Sequence, residues 1–218
     1  MARRIYARFE DRPDGHIEVL VSKGGVDRIV PLEDAGLKAS DDVVVFVPGI
    51  DVASHNASVP ARREREARKA AAFSIEDDVA EPVEALHVAL SPKGDDDQRT
   101  ILVCSSKLMA AWTERLDEAG LHDAMILPEF AVLPELNSAI DIEGRILLNI
   151  EARRMAVEST APDDLLRAIV NSASQPLDVH GTLLAGRLGV DAIGEVDAEP
   201  LGTLKSFAEA DLQLIDLR

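Results

Sequence analysis

One run of five apolar residues constrains the fold of this chain more than any other segment. Val43–Val47 has the branched and aromatic side chains of a β-strand, without any alternation of apolar and polar residues. Such a strand is apolar on both faces, which is typical of a strand covered on both sides, as in parallel sheets. Pro48 and Gly49 end it sharply. The run therefore predicts a mixed α/β fold around a buried strand.

Periodicity predicts further strands and helices, in an arrangement that partly repeats. Three strands and a helix occur near the N-terminus and again after residue 137, with a helix–hairpin–helix block between them. The other predicted strands are Ile5–Phe9, Ile17–Val21, Val26–Val30, Leu86–Leu90, Thr100–Cys104, Ala124–Leu127, Ala139–Ile142, Arg145–Ile150, Arg153–Val157 and Leu212–Leu217. The predicted helices are Ala61–Val79, Leu108–Ala119 with Ser106 as N-cap and Gly120 after its end, Glu129–Leu133, one that opens with Pro162–Asp164 and continues to Val170, and Leu184–Leu188 with Thr182 as N-cap.

The net negative charge of the chain excludes several classes of binding function. The chain has 23 Lys and Arg residues against 40 Asp and Glu residues, so its net charge is −17 with neutral His. A general nucleic-acid binder needs clustered basic residues to contact phosphates, and an acidic chain is also repelled by anionic lipid surfaces. We therefore expect no nucleic acid among the partners, and instead a protein partner that offers a basic face.

No catalytic or cofactor-binding motif is found. Cys104 is the single cysteine; it lies in an apolar run and is interpreted as a buried small hydrophobe in a protein from a reducing compartment. The sequence contains no C-x-x-C pair, phosphate-binding loop, dinucleotide-binding motif or serine nucleophile elbow. We therefore expect no catalytic residue, no metal and no cofactor.

The histidines do not form a local metal site, because no two are close enough in sequence to share a helix face. Only a site assembled in three dimensions is left open. The histidines are His16, His55, His87, His122 and His180. The N-terminal residues have no apolar signal segment, and no apolar run approaches the roughly 20 residues of a membrane helix.

Two charged segments have alternative interpretations. The basic cluster Arg62–Lys69 contains Glu64 and Glu66 at helical spacing from arginines, which favours a salt-bridged surface and leaves open a docking surface for an acidic partner. The acidic segment Glu76–Glu81 is either solvent-exposed or a contact for a basic partner. Asp95–Asp97 lacks the spacing of a calcium loop and is interpreted as a hairpin turn.

Several motifs resemble one protein family. Val45–Val52 resembles the V-P-G-x-x-V strand end of the type II secretion system protein L family. Ala71–Ala80 and then Val83–His87 resemble that family's A-x-P-F-x-x-E-D-x-x-A helix and D-x-L-H strand, although Ala72 replaces the proline and Glu84 replaces the aspartate.

Two later motifs extend the resemblance toward the C-terminus. Glu118–Leu121 with Ile126–Glu129 is similar to the A-G-L…P-E segment shared with the type IV pilus assembly protein M family. Leu214–Arg218 resembles the N-L-R that precedes the membrane helix of protein L, with Asp216 where asparagine is usual.

The resemblance implies an actin-like ATPase fold, shared with the cell-division protein FtsA and the pilus M protein. Residues 1–56 and 117–136 would form a first ribonuclease-H-like lobe and residues 57–116 an inserted subdomain. Residues 137–218 would form the second ribonuclease-H-like lobe, which ends just before the expected membrane helix, so that this chain would be a soluble fragment.

The nucleotide site implied by that fold is expected to be degenerate. Actin-like ATPases need an Asp-x-Gly phosphate loop at the first hairpin of each lobe, since Gly allows close backbone approach. The first hairpin, Tyr6–Asp11, lacks this motif, and the second is assigned to Leu148–Ala152, where Asn149 and Glu151 take those places. A bulky anion in place of Gly disfavours bound phosphate.

The resemblance also implies a function as a non-catalytic adaptor of the type II secretion system. The protein would recruit the secretion ATPase, protein E, through that protein's N-terminal domain, to the cytoplasmic face of the bacterial inner membrane. Its periplasmic part would pair with protein M of the same system, and a homodimer is left open. The alternatives are an ATP-binding actin-like assembly protein similar to type IV pilus protein M, and an unrelated α/β enzyme.

Overall fold

Three β-sheets form the framework of the structure. The computed structural model describes residues 3–9, 16–23, 26–38, 40–60, 63–94, 97–194 and 215–218. In chain order the strands are β1 (Arg4–Phe9), β2 (Ile17–Lys23), β3 (Val26–Pro31), β4 (Asp42–Val47), β5 (Ala53–Ser58), β6 (Leu86–Leu90), β7 (Gln98–Ser105), β8 (Met125–Pro128), β9 (Ser138–Ile142), β10 (Arg145–Ile150), β11 (Arg153–Glu158), β12 (Asp178–His180) and β13 (Ala192–Gly194). The helices are α1 (Glu64–Ser74), α2 (Ser106–Glu118), α3 (Asp163–Val170) and α4 (Thr182–Leu188).

The first sheet confirms the predicted buried strand, which is β4. Its strand order is β3-β2-β1-β4-β8, with β1 antiparallel to β2 and parallel to β4, and β4 parallel to β8. Val45, Phe46 and Val47 of β4 have exposures of 0%. Trp112 and Leu116 of α2 belong to the same apolar core. An uninterrupted apolar run needs apolar contacts on both of its faces. This is why the sequence predicted a strand covered on both sides.

The second sheet repeats the arrangement of the first. Its order is β11-β10-β9-β12-β13, so both sheets have the order 3-2-1-4-5 when their own strands are numbered along the chain. β9, β10 and β11 form an antiparallel meander, β12 pairs in parallel with β9, and β13 pairs in parallel with β12. The predicted repetition of a three-strand start is confirmed, and with it the mixed α/β class.

The third sheet, β5-β7-β6, is antiparallel and packs against α1. The predicted hairpin of β6 and β7 is confirmed, and so is the apolar stripe, because Ala67 and Ala71 of α1 and Ile75 just after it have exposures of 1% or less. The sequence did not predict β5, since Ala53–Ser58 is polar and forms a strand only by pairing with β7. The three-residue strands β12 and β13 were also not predicted.

The predicted boundaries of three helices are wrong. Helix α1 begins at Glu64 and ends at Ser74 rather than spanning Ala61–Val79, although residues 61–62 lie outside the described part. Acidic residues at the end of that range form a separate 3₁₀ turn, because negative charge opposes the dipole at a helix C-terminus. The N-cap of α2 is Ser105 instead of Ser106, and that of α4 is Gly181 instead of Thr182.

The predicted end of α2 at Gly120 is confirmed. Gly120 has φ +75°, in the left-handed region. Its N–H donates to the carbonyl of Asp117 at 3.0 Å, and the N–H of Leu121 donates to the carbonyl of Leu116 at 2.8 Å. These two bonds define a Schellman motif, which satisfies carbonyls that the helix end would leave free.

The last described residues lie along β8 at the edge of the first sheet. The N–H of Leu217 donates to the carbonyl of Ile126 at 3.0 Å, and the N–H of Ile126 donates to Asp216 Oδ1 at 3.0 Å. Leu217 is fully buried. Residues 215–218 are not a regular strand, which corrects the predicted one; Leu212 and Leu214 lie outside the described residues, as do residues 13–15 of the predicted first turn.

The predicted division into three units stays a proposal. Because β5 pairs with β7 of the third sheet, we propose that the inserted unit begins at Ala53 rather than after residue 56. No helix in the described part of the chain is both long and apolar enough to cross a lipid bilayer.

Two glycine substitutions test the helix-end geometry. Gly120→Ala is expected to lower the free energy of unfolding by about 1 kcal/mol, because alanine is strained at positive φ. Gly186→Ala is the matched control: Gly186 lies within α4 with no atom near an added Cβ, so this change is expected to raise stability by about 0.5 kcal/mol. Urea denaturation measures both, and equal effects of the two substitutions would contradict the assignment.

Candidate functional site between the first and second sheets

Side chains of the first and second sheets meet at one place. The parallel strands β1, β4 and β8 share an orientation, so their carboxyl ends lie at the same edge of the first sheet. This edge contacts the turn that joins β9 to β10 in the second sheet, through ion pairs that involve Arg8 and Arg145. Ligands of α/β proteins bind outside the carboxyl ends of parallel strands. The junction is therefore the candidate functional site.

Arg8 of β1 links the two sheets. Its Nε donates to Glu18 Oε2 at 2.8 Å, and its guanidinium also pairs with the carboxylate of Glu143 in the second sheet. Only 7% of its side chain is exposed. Burial disfavours the charged guanidinium, but the carboxylates of Glu143 and Glu18 outweigh this, and the pKa of Arg8 lies above its usual value. Arg8 is therefore a fixed cation whose charge is already neutralised.

A second buried ion pair lies beside the first. Arg145 of β10 donates to both carboxylate oxygens of Glu129, at 2.8 and 2.6 Å. Glu129 also accepts a hydrogen bond from the N–H of Gly49 at 3.0 Å. Glu129 follows β8 and Gly49 follows β4, so this group again joins the two sheets. Removing one partner of such a pair leaves an uncompensated buried charge.

Position 49 needs a glycine because neighbouring side chains leave no room for a Cβ atom. A Cβ on Gly49 would lie 3.0 Å from Ala156 Cβ and 3.1 Å from Phe130 Cδ1. These distances are shorter than ordinary van der Waals contacts, and Ala156 belongs to β11 of the second sheet. The Pro-Gly end of β4 therefore lets the second sheet approach closely.

The predicted second phosphate hairpin is at the wrong end of the second sheet. The first hairpin of that sheet joins β9 to β10, whereas Asn149 and Glu151 belong to the hairpin of β10 and β11. Asn149 Nδ2 donates to the carbonyls of Pro134 and Leu136, at 2.7 and 3.1 Å. Both residues therefore have structural roles away from the junction.

Glu151 accepts hydrogen bonds from the N–H and Oγ of Ser174, at 2.7 and 2.8 Å. These bonds lower the pKa of Glu151. The assignment of the hairpin failed because the β-meander offers two turns of similar length, and only the strand pairing shows which comes first.

The correct hairpin turn reads Asp141–Gly144. Asp141 stands where Asp-x-Gly has its aspartate, and its Oδ1 accepts from Ser159 Oγ at 2.6 Å. Glu143 stands where that motif has glycine, with a strained φ of +50°. Its side chain occupies the space next to Arg8. Of the first lobe's hairpin, residues 10–15 lie outside the described part.

The prediction that Cys104 is a buried, small apolar residue of the core is confirmed. It is 4% exposed, and burial raises the pKa of its thiol to about 12. A thiol with that pKa carries almost no nucleophilic thiolate at neutral pH. Asp51 lies near both Cys104 and Arg145, and burial raises the pKa of its carboxyl, although Arg145 opposes this.

The histidines do not converge. His16 is exposed, His87 Nε2 contacts the carbonyl of Leu217, and His122 Nδ1 lies 3.0 Å from Asp117 Oδ1. In the described ranges, no group of three or more His, Cys, Asp or Glu side chains could hold a metal ion. His55 is buried and lines a separate cavity.

The charged segments lie on the surface around α1. Arg65 and Lys69 are exposed, as are Glu76 and Asp77, whereas Arg62 lies outside the described residues. Asp97 pairs with Lys93 at the β6–β7 turn, and Asp95 and Asp96 also lie outside that range.

No local sequence pattern connects the charged residues of the junction. Arg8 and Glu143 are 135 positions apart, so no local spacing connects them. One signal was available: a charged residue, Arg8, interrupts the apolar strand Ile5–Phe9, and Glu143 comes before a turn glycine.

A double-mutant cycle tests the ion pair between the sheets. Arg8→Met is expected to lower the free energy of unfolding by about 3 kcal/mol, since it leaves the Glu143 carboxylate without its partner. Glu143→Gln is expected to lower it by less, about 1–2 kcal/mol, because Arg8 keeps its bond to Glu18. The double substitution should lower it by less than the sum, with a coupling of about 1–3 kcal/mol.

The exposed pair Arg4–Asp42, with side chains 48% and 45% exposed, is the matched control. Its coupling should stay below about 1 kcal/mol. Guanidinium denaturation measures both cycles. Equal coupling in the two cycles would show that the Arg8–Glu143 pair does not hold the sheets together.

Comparison with known proteins identifies a family. The family model described as type II secretion system (T2SS), protein L, matches residues 16–211. The type II secretion system protein L of Pectobacterium carotovorum subsp. carotovorum is 30% identical over 173 residues, which cover 77% of this chain and 39% of that protein. That of Klebsiella pneumoniae is 34% identical over 126 residues, which cover 56% of this chain and 31% of that protein. The chain thus spans well under half the length of these relatives.

Solved structures show the same fold. The cytoplasmic domain of EpsL, an inner-membrane component of the type II secretion system of Vibrio cholerae, matches with a TM-score of 0.65 at 17% identity, over 94% of this chain and 92% of that one. A Bacteroides thetaiotaomicron VPI-5482 protein with an actin-like ATPase fold matches with a TM-score of 0.52 at 10% identity, over 95% and 96% of the two chains. The predicted actin-like fold is confirmed.

Proposed function

Because the chain belongs to the type II secretion system protein L family, we propose that it is a non-catalytic adaptor that recruits the secretion ATPase, protein E, to the inner membrane. It binds the N-terminal domain of protein E at the cytoplasmic face. Protein M of the same system is a further partner, through a portion of the family's length that lies outside these residues. A component of the type II secretion system has partners among the other proteins of that system.

The observation that carries the non-catalytic part of this proposal is the filled junction. The Glu143 side chain lies where the second phosphate loop of an actin-like ATPase would be. It pairs with Arg8 of the first sheet and neutralises the charge of that guanidinium. A triphosphate would have to displace the partly buried carboxylate of Glu143 and then lie beside it, which is unfavourable for two anions. The fold therefore serves as a scaffold rather than as an ATPase.

The alternative is an ATP-binding assembly protein similar to type IV pilus protein M. It requires Arg8 to exchange Glu143 for phosphate oxygens. That exchange would separate the first and second sheets at the point where Glu129 and Arg145 also join them. We prefer the adaptor because it leaves both buried ion pairs intact.

The net negative charge of the chain favours a partner protein with a basic surface. The net charge of −17 attracts a cationic surface over a distance that salt shortens. The complex with the N-terminal domain of protein E is therefore expected to weaken by at least about tenfold when salt rises from about 50 mM to about 500 mM. Isothermal titration calorimetry measures this change.

Paired charge reversals identify which surface contributes. Glu76→Lys with Asp77→Lys should weaken binding, because it removes negative charge from an exposed surface. Arg65→Glu with Lys69→Glu, on the neighbouring exposed face of α1, is the matched control and should leave binding unchanged or stronger. Absence of any binding at low salt would reject the adaptor function, and a loss confined to the basic-face variant would assign the contact to an acidic partner surface.

A further inference from the structure

A cavity of about 760 Å³ lies between the third sheet and the second sheet, away from the ion pairs of the junction. Residues of β5 and the end of α1 form one wall, and the β10–β11 turn, β11 and α3 form the other. At one edge, Asn56 Nδ2 donates to the carbonyl of Ala152 at 3.0 Å and joins the two walls. Ligand pockets have volumes of about 300–1,000 Å³. The cavity can therefore accept a short peptide segment.

The floor of the cavity is apolar. Ile75, after α1, and Ile150, in β10, are almost fully buried, and Met155 and Ile169 are partly buried beside them. These residues come from both walls, so an apolar side chain inserted between them would contact both units. Burial of one such side chain favours binding, and the loss of its mobility opposes it.

The rim of the cavity is charged and predominantly acidic. Asp78 contributes a carboxylate from the first wall, and the second wall contributes Glu151 and Arg153. The hydrogen bonds from Ser174 lower the pKa of Glu151, so its carboxylate stays ionised. Two anions against one cation, in a chain of net charge −17, favour a ligand with a cationic group.

His55 provides an acceptor beside one of these carboxylates. The residue is 8% exposed, and its Nε2 is buried without a hydrogen-bond partner among the described residues. Its Nδ1 lies 3.8 Å from Asp78 Oδ2, which is beyond hydrogen-bond distance. Burial lowers the pKa of the imidazole, and the nearby Arg153 cation lowers it further against the opposing effect of Asp78, so the imidazole stays neutral. In the tautomer that carries its proton on Nε2, Nδ1 and the Asp78 carboxylate can both accept from one ammonium group.

The second wall is held in a fixed shape. Glu151 and Ala152 form a turn with φ of +52° and +63°, which is strained for residues other than glycine. The N–H of Glu151 donates to Asn137 Oδ1 at 2.8 Å, and its carboxylate is fixed by Ser174. A rim that is already ordered loses little freedom on binding.

From these observations we propose that the cavity is a docking site for a peptide segment of a partner protein, with an apolar side chain next to a basic one. The apolar side chain lies on the floor formed by Ile75, Ile150 and Met155. The basic group donates to His55 Nδ1 and Asp78 at the rim. This proposal does not depend on recruitment of the ATPase, because any partner with this segment would fit.

Three blocked peptides that differ at one residue test the proposal. Each has one leucine in a Gly-Ser background, followed by lysine, glutamine or glutamate. The lysine peptide should bind saturably, at least about threefold more tightly than the glutamine peptide, and the glutamate peptide should bind most weakly. Fluorescence anisotropy with this 218-residue chain measures the affinities, and two-dimensional NMR identifies the residues that shift.

Filling the cavity provides the matched control. Ala168→Phe, at the second wall on α3, should reduce binding of the lysine peptide by at least about tenfold. Ala110→Phe, at an equally exposed position of α2 outside this cavity, should leave it unchanged. If Ala168→Phe does not fold, Ser172→Tyr blocks the same wall. No saturable binding, a preference for the glutamate peptide, or equal binding to the two phenylalanine variants would each overturn the proposal.

Discussion

Buried ion pairs between the first and second sheets are the interaction on which the rest of the structure depends. Arg8 pairs with Glu143, and Arg145 with Glu129, so each pair crosses from one sheet to the other. Apolar contacts follow the same path, because Ile142 and Leu147 of the second sheet pack into the core of the first. Buried charges are unfavourable unless they are paired, so these contacts favour one relative position of the sheets.

This constraint relates the fold to its proposed use. In an actin-like ATPase, the junction would bind phosphates through glycine-rich turns. Here the Glu143 carboxylate, in the turn proposed to correspond to one of those loops, pairs with Arg8. The protein therefore carries internally the charge that a nucleotide would bring. Sheets fixed to each other in this way would present constant outer surfaces, which suits the proposed adaptor function.

The sequence predicted those parts of the fold that depend on local pattern. The apolar run of β4, the buried stripe of α1 and the glycine after α2 were recognisable because each has its own periodicity or backbone requirement. The polar strand β5 was not, because only its pairing with β7 makes it a strand. The junction was beyond prediction for the same reason: Arg8 and Glu143 meet only after both sheets have formed.

A crystal structure of this chain grown with magnesium and ATP tests the central claim most directly. The account predicts that Arg8 remains paired with Glu143 and that no nucleotide lies between the β1–β2 and β9–β10 hairpins. Ordered triphosphate in that place, with Arg8 released from Glu143 and bound to phosphate oxygens, would contradict it.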